Sequence, residues 1–181
     1  MVEAANTLNF QNLERAASAT AERQTFVLAL LGNLSFAWSN NESLLIHLIQ
    51  ALVPTDEASA VIIFSTLTTA RARVELVERL GRTKIRDDAL RRDLELLLSR
   101  FNDLTKVRNE FIHCMYGVDE KGELSHTQSF RIRNINGRQS LERPQAIDNK
   151  RIRALLTAID EMKSLNRDLW AILPKLRAHV C

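Results

Sequence analysis

Apolar residues recur with a helical period over the stretch from about Thr20 to Val53. A spacing of three or four positions places them on one face of an α-helix, whereas a half-buried strand would show strict alternation. Their positions are Phe26, Leu30, Leu34, Trp38, Leu44, Leu45, Leu48, Ile49 and Leu52. Pro54 then closes the segment, because proline cannot donate the next helical hydrogen bond. The sequence therefore predicts one long amphipathic helix here.

Three further segments have the same period. The second predicted helix runs from about Asp56 to Leu80 and stops at Gly81, a residue type common just after a helix end. The third runs from about Arg86 to Cys114, and the last begins near Asp148, which can cap it. Pro174 is expected to end or bend this last helix.

Residues 116–135 lack the helical period of the neighbouring segments, because a turn signal is followed by isolated apolar residues among polar ones. With only 5 glycines and 3 prolines, the chain lacks the turns of an all-β sandwich or barrel. We therefore predict an all-α fold, an up-and-down bundle of four to five helices, with a small β-hairpin or extended insertion before the last helix. The fifth helix would be an N-terminal piece, and residues 1–181 would form a single domain.

The sequence excludes several classes of site. Its glycines are too dispersed for a glycine-rich phosphate loop. Cys114 and Cys181 form neither a disulfide framework nor a Cys-x-x-Cys motif, and no metal-ligand spacing is present, so we expect no metal and no cofactor. The beginning of the chain lacks a signal-peptide pattern, and no apolar run has the length of a membrane span. The expected location is the cytoplasm, without a membrane partner.

Arginine dominates the positive charge. The net charge is only +3, but 19 of the 25 basic residues are arginines. The planar guanidinium fork suits phosphate and carboxylate groups, so a phosphate-bearing partner fits this composition. Salt-bridged helix faces fit it as well.

The end of the third predicted helix combines three polar side chains. Its apolar stripe steps through Leu94, Leu97, Phe101 and Leu104, and the next position on that face is Arg108. A charge at a core position is destabilising unless it is paired or functional. Asn109 and His113 follow, and because they are four residues apart they share a helix face.

The hexapeptide Arg108-Asn109-Glu110-Phe111-Ile112-His113 resembles the R-x4-6-H signature of HEPN-domain proteins, in which a polar residue, often asparagine, follows the arginine. HEPN domains are all-α bundles, and many are metal-independent endoribonucleases. The resemblance implies RNA as substrate and a homodimer with a composite active site containing Arg108, Asn109 and His113. It also implies a role as a toxin or in phage defence, restrained by an antitoxin or another regulatory protein. After the histidine the sequence departs from the usual pattern, since Cys114 follows and glycine comes only at position 117.

The chemistry of these side chains suits RNA cleavage without a metal. In that reaction the 2′-hydroxyl attacks the adjacent phosphate, which requires proton transfer and stabilisation of negative charge. Histidine can transfer protons near neutral pH. Arginine can hold two phosphate oxygens and stabilise the transition state, and asparagine can orient the phosphate or the imidazole.

Further residues are candidates for supporting roles. Between positions 131 and 153 there are seven basic residues and two acidic ones. From this segment we predict Arg131, Arg133 and Arg151 as RNA-binding residues, while a solvated loop with a basic helix start remains the alternative. Glu42 and Tyr116 are predicted to contact the catalytic residues rather than the reacting phosphate. A solvent-facing glutamate and a packed tyrosine explain these two residues as well.

Two other functions remain open. A non-catalytic helical module could bind RNA, a nucleotide or a partner protein. In a purely structural dimerisation bundle, Arg108 would pair with Glu110, Glu42 or another carboxylate, and His113 would cap helix carbonyls.

Overall fold

A computed structural model describes residues 23–120, 124–135 and 138–179 of the chain. These ranges contain five helices and five short strands. The helices are α1 (Arg23–Leu52), α2 (Glu57–Thr66), α3 (Ala70–Lys84), α4 (Asp88–Ile112) and α5 (Asn149–His179), and the strands between α4 and α5 are β1 (Cys114–Val118), β2 (Leu124–Ser129), β3 (Ile132–Ile135), β4 (Arg138–Leu141) and β5 (Gln145–Ala146). The predicted helical bundle with a small β insertion before the last helix is confirmed. The predicted N-terminal piece lies outside the described residues.

Helix α1 is the centre of the bundle and packs against each of the other four helices. Its closest association is with α5, where the fully buried Asn41 donates from Nδ2 to the Met162 carbonyl at 2.9 Å. Asn166 completes this polar contact by donating to Asn41 Oδ1 at 3.1 Å. Because buried amides are destabilising without partners, these bonds explain how asparagine is accommodated in an apolar core.

Cross-contacts fix the directions of three helices. Helices α1 and α5 run the same way, since Arg23 bonds to the Ile147 carbonyl at one end and His47 contacts Trp170 toward the other. Helix α4 runs opposite to both, because Glu110 near its end pairs with Arg151 in the first turn of α5, whereas Arg100 at its middle pairs with Asp168 farther along α5. The carboxyl-terminal end of α4 therefore lies beside the first turns of α1 and α5, and the β insertion begins at this end of the bundle.

The second predicted helix is wrong as a single element, because residues between Thr66 and Ala70 interrupt it. Leu67 has an extended conformation, and the Thr69 side chain accepts from the Ala72 amide as the N-cap of α3. Gly81 does not stop α3, which continues to Lys84. A Cβ atom at position 81 would lie 3.0 Å from Leu94 Cδ2, so this glycine permits close packing of α3 on α4.

The last helix begins where the sequence predicts. The Asp148 side chain accepts from the Arg151 amide at 2.8 Å, as an N-cap should. Pro174 does not end the helix, which extends to His179. Proline leaves one carbonyl of the preceding turn without its helical partner. Pro174 is exposed, so water can satisfy that group.

The insertion is larger than the predicted segment 116–135. Strands β1 and β2 form an antiparallel hairpin, β5 pairs with the other edge of β2, and β3 and β4 form a separate two-stranded ribbon. A small apolar cluster of Val27, Leu124 and Ile147 anchors the hairpin to α1. The polar composition of β3 to β5 leaves little alternation, which is the signal by which sequence patterns predict strands. None of the helices in the described ranges combines the length and apolar character needed to cross a membrane.

Candidate functional site

Arg108 lies on the inner side of the last turns of α4, as the apolar stripe predicts. The buried stripe passes through Leu94, Leu98, Phe101 and Leu104, so Leu98 takes the place expected for Leu97, which is only partly buried. Arg108 comes next along this face and is itself partly buried. Its side chain is therefore held by packing rather than free in solvent.

Three contacts fix the Arg108 guanidinium. Its Nη1 donates to Asn109 Oδ1 at 3.0 Å and lies 3.0 Å from His113 Nε2. Its Cζ atom lies 4.4 Å from the centroid of the Trp38 ring on α1. The structure thus brings the three residues of the motif together, with Asn109 and His113 both within hydrogen-bond distance of the Arg108 guanidinium.

The contact with Arg108 gives the His113 ring a specific orientation. Arginine carries only hydrogen-bond donors, so in a hydrogen bond between these two groups His113 Nε2 is the acceptor. The ring is exposed, and the backbone amide of His113 closes α4 by donating to the Asn109 carbonyl at 3.0 Å. In such a hydrogen bond the Nε2 lone pair of His113 is directed at the arginine.

Arg108 lacks a carboxylate partner within the described ranges. Both carboxylates considered from the sequence are paired elsewhere: Glu110 with Arg151 at 3.1 Å and Glu42 with Arg73 at 2.7 Å. The structural interpretation in which either of them neutralises Arg108 is therefore wrong. The buried Nε of Arg108 also has no hydrogen-bond partner among the residues that the structure describes. A partly buried cation without a counter-ion is a favourable place for an anion.

Trp38 is the residue of this site that the sequence did not reveal. The apolar spacing of the first helix predicts Trp38 only as one of several core residues. It is buried, and its ring is stacked on Phe101. Its Nε1 donates to Thr105 Oγ1 at 2.9 Å, which fixes the ring orientation. A tryptophan one helix away from an arginine in a core stripe is the only signal that could have suggested a cation–π contact.

A groove adjoins the motif between the end of α4 and the β insertion. Its volume is about 670 Å³, and Asn109 and His113 form part of its wall. The β insertion contributes Ser129 at the end of β2 and the two residues that follow it, Phe130 and Arg131, both of which are exposed. Two side chains of the motif therefore face an open space large enough for a ligand, while Arg108, which both of them contact, is not one of the lining residues.

The three predicted RNA-binding arginines differ in position. Arg131 lies at the rim of the groove. Arg151 also lines it, but its side chain is only 13% exposed and lies over the Phe111 ring, with its Nη1 contacting Glu110 and Gln145. Arg151 is thus a packed part of the groove wall rather than an exposed rim cation. Arg133 belongs to β3, and its side chain lies outside what the structure describes.

The two predicted supporting residues do not contact the motif. Glu42 binds Arg73, whose guanidinium also lies over Phe64, and so joins α1 to α3. The Tyr116 hydroxyl donates to the Phe111 carbonyl and closes the last turn of α4. Both residues therefore stabilise the scaffold around the site.

Burial raises the pKa of two ionisable groups beside the motif, the Tyr116 hydroxyl and the Cys114 thiol. The pKa of Tyr116 is thereby raised well above its usual range. A thiol with a raised pKa is a weak nucleophile at neutral pH, so Cys114 is a poor candidate for covalent chemistry. Nowhere in the described part of the chain do three histidine, cysteine or acidic residues converge in a way that could hold a metal ion.

Comparison with protein-family models finds no match for this chain, and comparisons with curated proteins and with solved structures find none either. The resemblance to HEPN domains therefore stays a prediction based on the motif.

Proposed function

We propose that this protein is a metal-independent endoribonuclease that acts as a homodimer. The observation that carries the proposal is the Arg108 guanidinium, which is partly buried, has no carboxylate partner within the described ranges and lies beside the exposed His113. Such a cation is ready to bind a phosphate without first breaking an ion pair. The adjoining histidine supplies the proton-transfer group that cleavage requires.

The proposed reaction begins with attack of the 2′-hydroxyl oxygen on the adjacent phosphorus. The bond to the 5′-oxygen breaks, leaving a 2′,3′-cyclic phosphate and a free 5′-hydroxyl. Arg108 stabilises the extra negative charge on the phosphoryl oxygens, and Asn109 orients the guanidinium through the bond from Nη1. When the phosphate takes the donors of Arg108, His113 Nε2 is released and can accept or return a proton.

One protomer supplies a single histidine at this place, whereas the reaction needs a proton acceptor and a proton donor. We therefore propose that a second copy contributes its own Arg108 and His113. Mixing wild type with increasing amounts of His113→Ala tests this arrangement. A composite site predicts that a dimer with one histidine loses most of its activity, so the rate should fall more steeply than the fraction of wild-type chains, and a fall in direct proportion would contradict it. A role as a toxin or defence effector, restrained by a regulatory protein, belongs to the same proposal and rests on the resemblance alone.

The direct test is cleavage of single-stranded RNA in EDTA. We expect His113→Ala to lower the rate by about 10²-fold or more and Arg108→Ala by a similar factor. Arg100→Ala is the matched control, because Arg100 lies on the same helix and forms a surface ion pair with Asp168. Mass spectrometry should identify the cyclic phosphate. Equal activity in all variants, or no cleavage by a folded dimer freed of bound protein, would contradict the proposal.

One observation favours a second candidate, a non-catalytic module that binds phosphate-bearing ligands. The acceptor nitrogen of His113 is occupied by the Arg108 guanidinium. Arg108 can still bind a phosphate in this arrangement, but the histidine nitrogen is not available to accept a proton from the 2′-hydroxyl. This function predicts RNA or nucleotide binding that is lost in Arg108→Ala, without any cyclic phosphate product in the wild type.

A further inference from the structure

The groove beside the motif has two chemically different sides. Asn109 and His113 lie on the α4 side, next to the cation of Arg108. From the β insertion, Phe130 directly after β2 lines the groove and is 60% exposed, and Arg131 follows it. The groove is therefore lined both by two side chains that contact Arg108 and by an exposed aromatic residue.

The inner wall of the groove presents fixed polar groups. Arg151 holds Glu110 at 3.1 Å and also donates to Gln145 Oε1, while all three side chains line the groove. Arg151 is 13% exposed and packed over Phe111, so the central cation of this cluster is held in place and orients its two partners. A carboxylate and an amide held in place can form hydrogen bonds with the polar edge of a planar ligand.

The size of the groove limits what can occupy it. At about 670 Å³ it lies in the range of pockets that hold small organic molecules and cofactors. It is too small for a duplex, whose bases are also stacked and paired inside the helix. An unpaired nucleotide offers an aromatic face to Phe130, polar base edges to the inner wall and a phosphate to Arg108.

We propose that this groove binds one unstacked base of single-stranded RNA, next to the phosphate bound by Arg108, with Phe130 as the stacking platform. This inference rests on the proposed function, since it assumes that RNA is the ligand. It adds that one base of the RNA leaves the stack and enters the groove, and that Phe130 is a residue of the binding site. Base–aromatic stacking contributes enough binding energy for its loss to be measured.

The first test measures the binding of a short single-stranded oligonucleotide whose 2′-hydroxyls are replaced by fluorine, which prevents cleavage. Fluorescence anisotropy should show about tenfold weaker binding for Phe130→Ala and near-normal binding for Phe130→Tyr. Trp170→Ala is the matched control, because Trp170 is exposed on α5 about five helical turns away from Arg151. Equal affinity of wild type and Phe130→Ala would overturn the inference, as would tighter binding of the corresponding duplex.

A second test removes single bases from the same oligonucleotide. We expect one abasic position to weaken binding to the wild type, and the same change to have little effect on Phe130→Ala. This experiment separates the two proposals. If the wild type cleaves RNA but no abasic position matters, the base pocket is wrong and the nuclease stands. If the abasic effect depends on Phe130 but RNA is never cleaved, the pocket stands and the nuclease is wrong.

Discussion

The guanidinium carbon of Arg108 lies 4.4 Å from the centroid of the Trp38 ring, across the contact between α4 and α1. The indole face stabilises the cation without occupying its hydrogen-bond donors. The polar contacts of the guanidinium with Asn109 and His113 are both made by one nitrogen, Nη1. The arginine is thus held in a fixed position while its charge is still available to a ligand.

Replacement of Trp38 should separate this electrostatic role from packing. Trp38→Phe and Trp38→Leu both lose volume and the bond to Thr105, but only leucine lacks an aromatic face. We expect both variants to lower the free energy of unfolding in urea. Only Trp38→Leu should lose about a further tenfold in RNA cleavage, because loss of a partly desolvated cation–π contact is worth about 1–2 kcal/mol. An equal loss of cleavage in the two variants would show that packing alone positions the arginine.

Replacement of Arg108 by methionine should raise stability while it abolishes cleavage. Methionine removes a charge that has no carboxylate partner in the described ranges and a buried Nε that has no hydrogen-bond partner there, and it can pack against the Trp38 ring. We expect the free energy of unfolding to rise by about 1 kcal/mol, as is common where a functional group strains the fold. Arg73→Met should instead lower it by about 3 kcal/mol, because that change leaves Glu42 unpaired. Similar destabilisation of both variants would contradict the finding that Arg108, unlike Arg73, has no carboxylate partner in the described ranges.

Tyr116 should ionise only at strongly alkaline pH in the folded protein. It is the only tyrosine in the chain, so phenolate absorbance reports it directly. Burial raises its pKa above the ordinary value of 10.0. The unfolded chain therefore releases this proton first, and stability falls as the pH rises above about 10.

The variant Tyr116→Phe provides the control for that titration. It should remove the absorbance change and reduce the alkaline loss of stability relative to wild type. At neutral pH it should lower the free energy of unfolding by about 1 kcal/mol, since the Phe111 carbonyl loses its hydrogen-bond donor. Ionisation of folded Tyr116 near pH 10 would show that the hydroxyl is not buried as described.

Two helical glycines should respond oppositely to alanine. A Cβ atom at Gly32 would meet nothing within 4 Å, so Gly32→Ala should stabilise α1 by about 1 kcal/mol through helix propensity. At Gly81 the same atom would lie 3.0 Å from Leu94 Cδ2, and the contact should cancel or reverse that gain. Urea unfolding of the two variants measures the difference, and equal stabilisation would contradict close packing of α3 on α4.

Local patterns predicted much of the bundle. Helices α1, α4 and α5 followed from the apolar period, and the cap of α5 followed from Asp148. The break between α2 and α3 was missed, because the apolar period continues across it and the Thr69 cap looks like an ordinary polar residue. Gly81 was misread for a related reason: a glycine that ends a helix and one that lets two helices approach look alike in a sequence.

Spacing within a few helical turns is enough to predict the helical character of the chain and to place Arg108, Asn109 and His113 at the end of one helix. Tertiary structure decided which charges meet. It paired Glu42 with Arg73 and Glu110 with Arg151, and it left Arg108 against Trp38. Such contacts join residues far apart in the chain, so they depend on how the helices pack, and no local period encodes them.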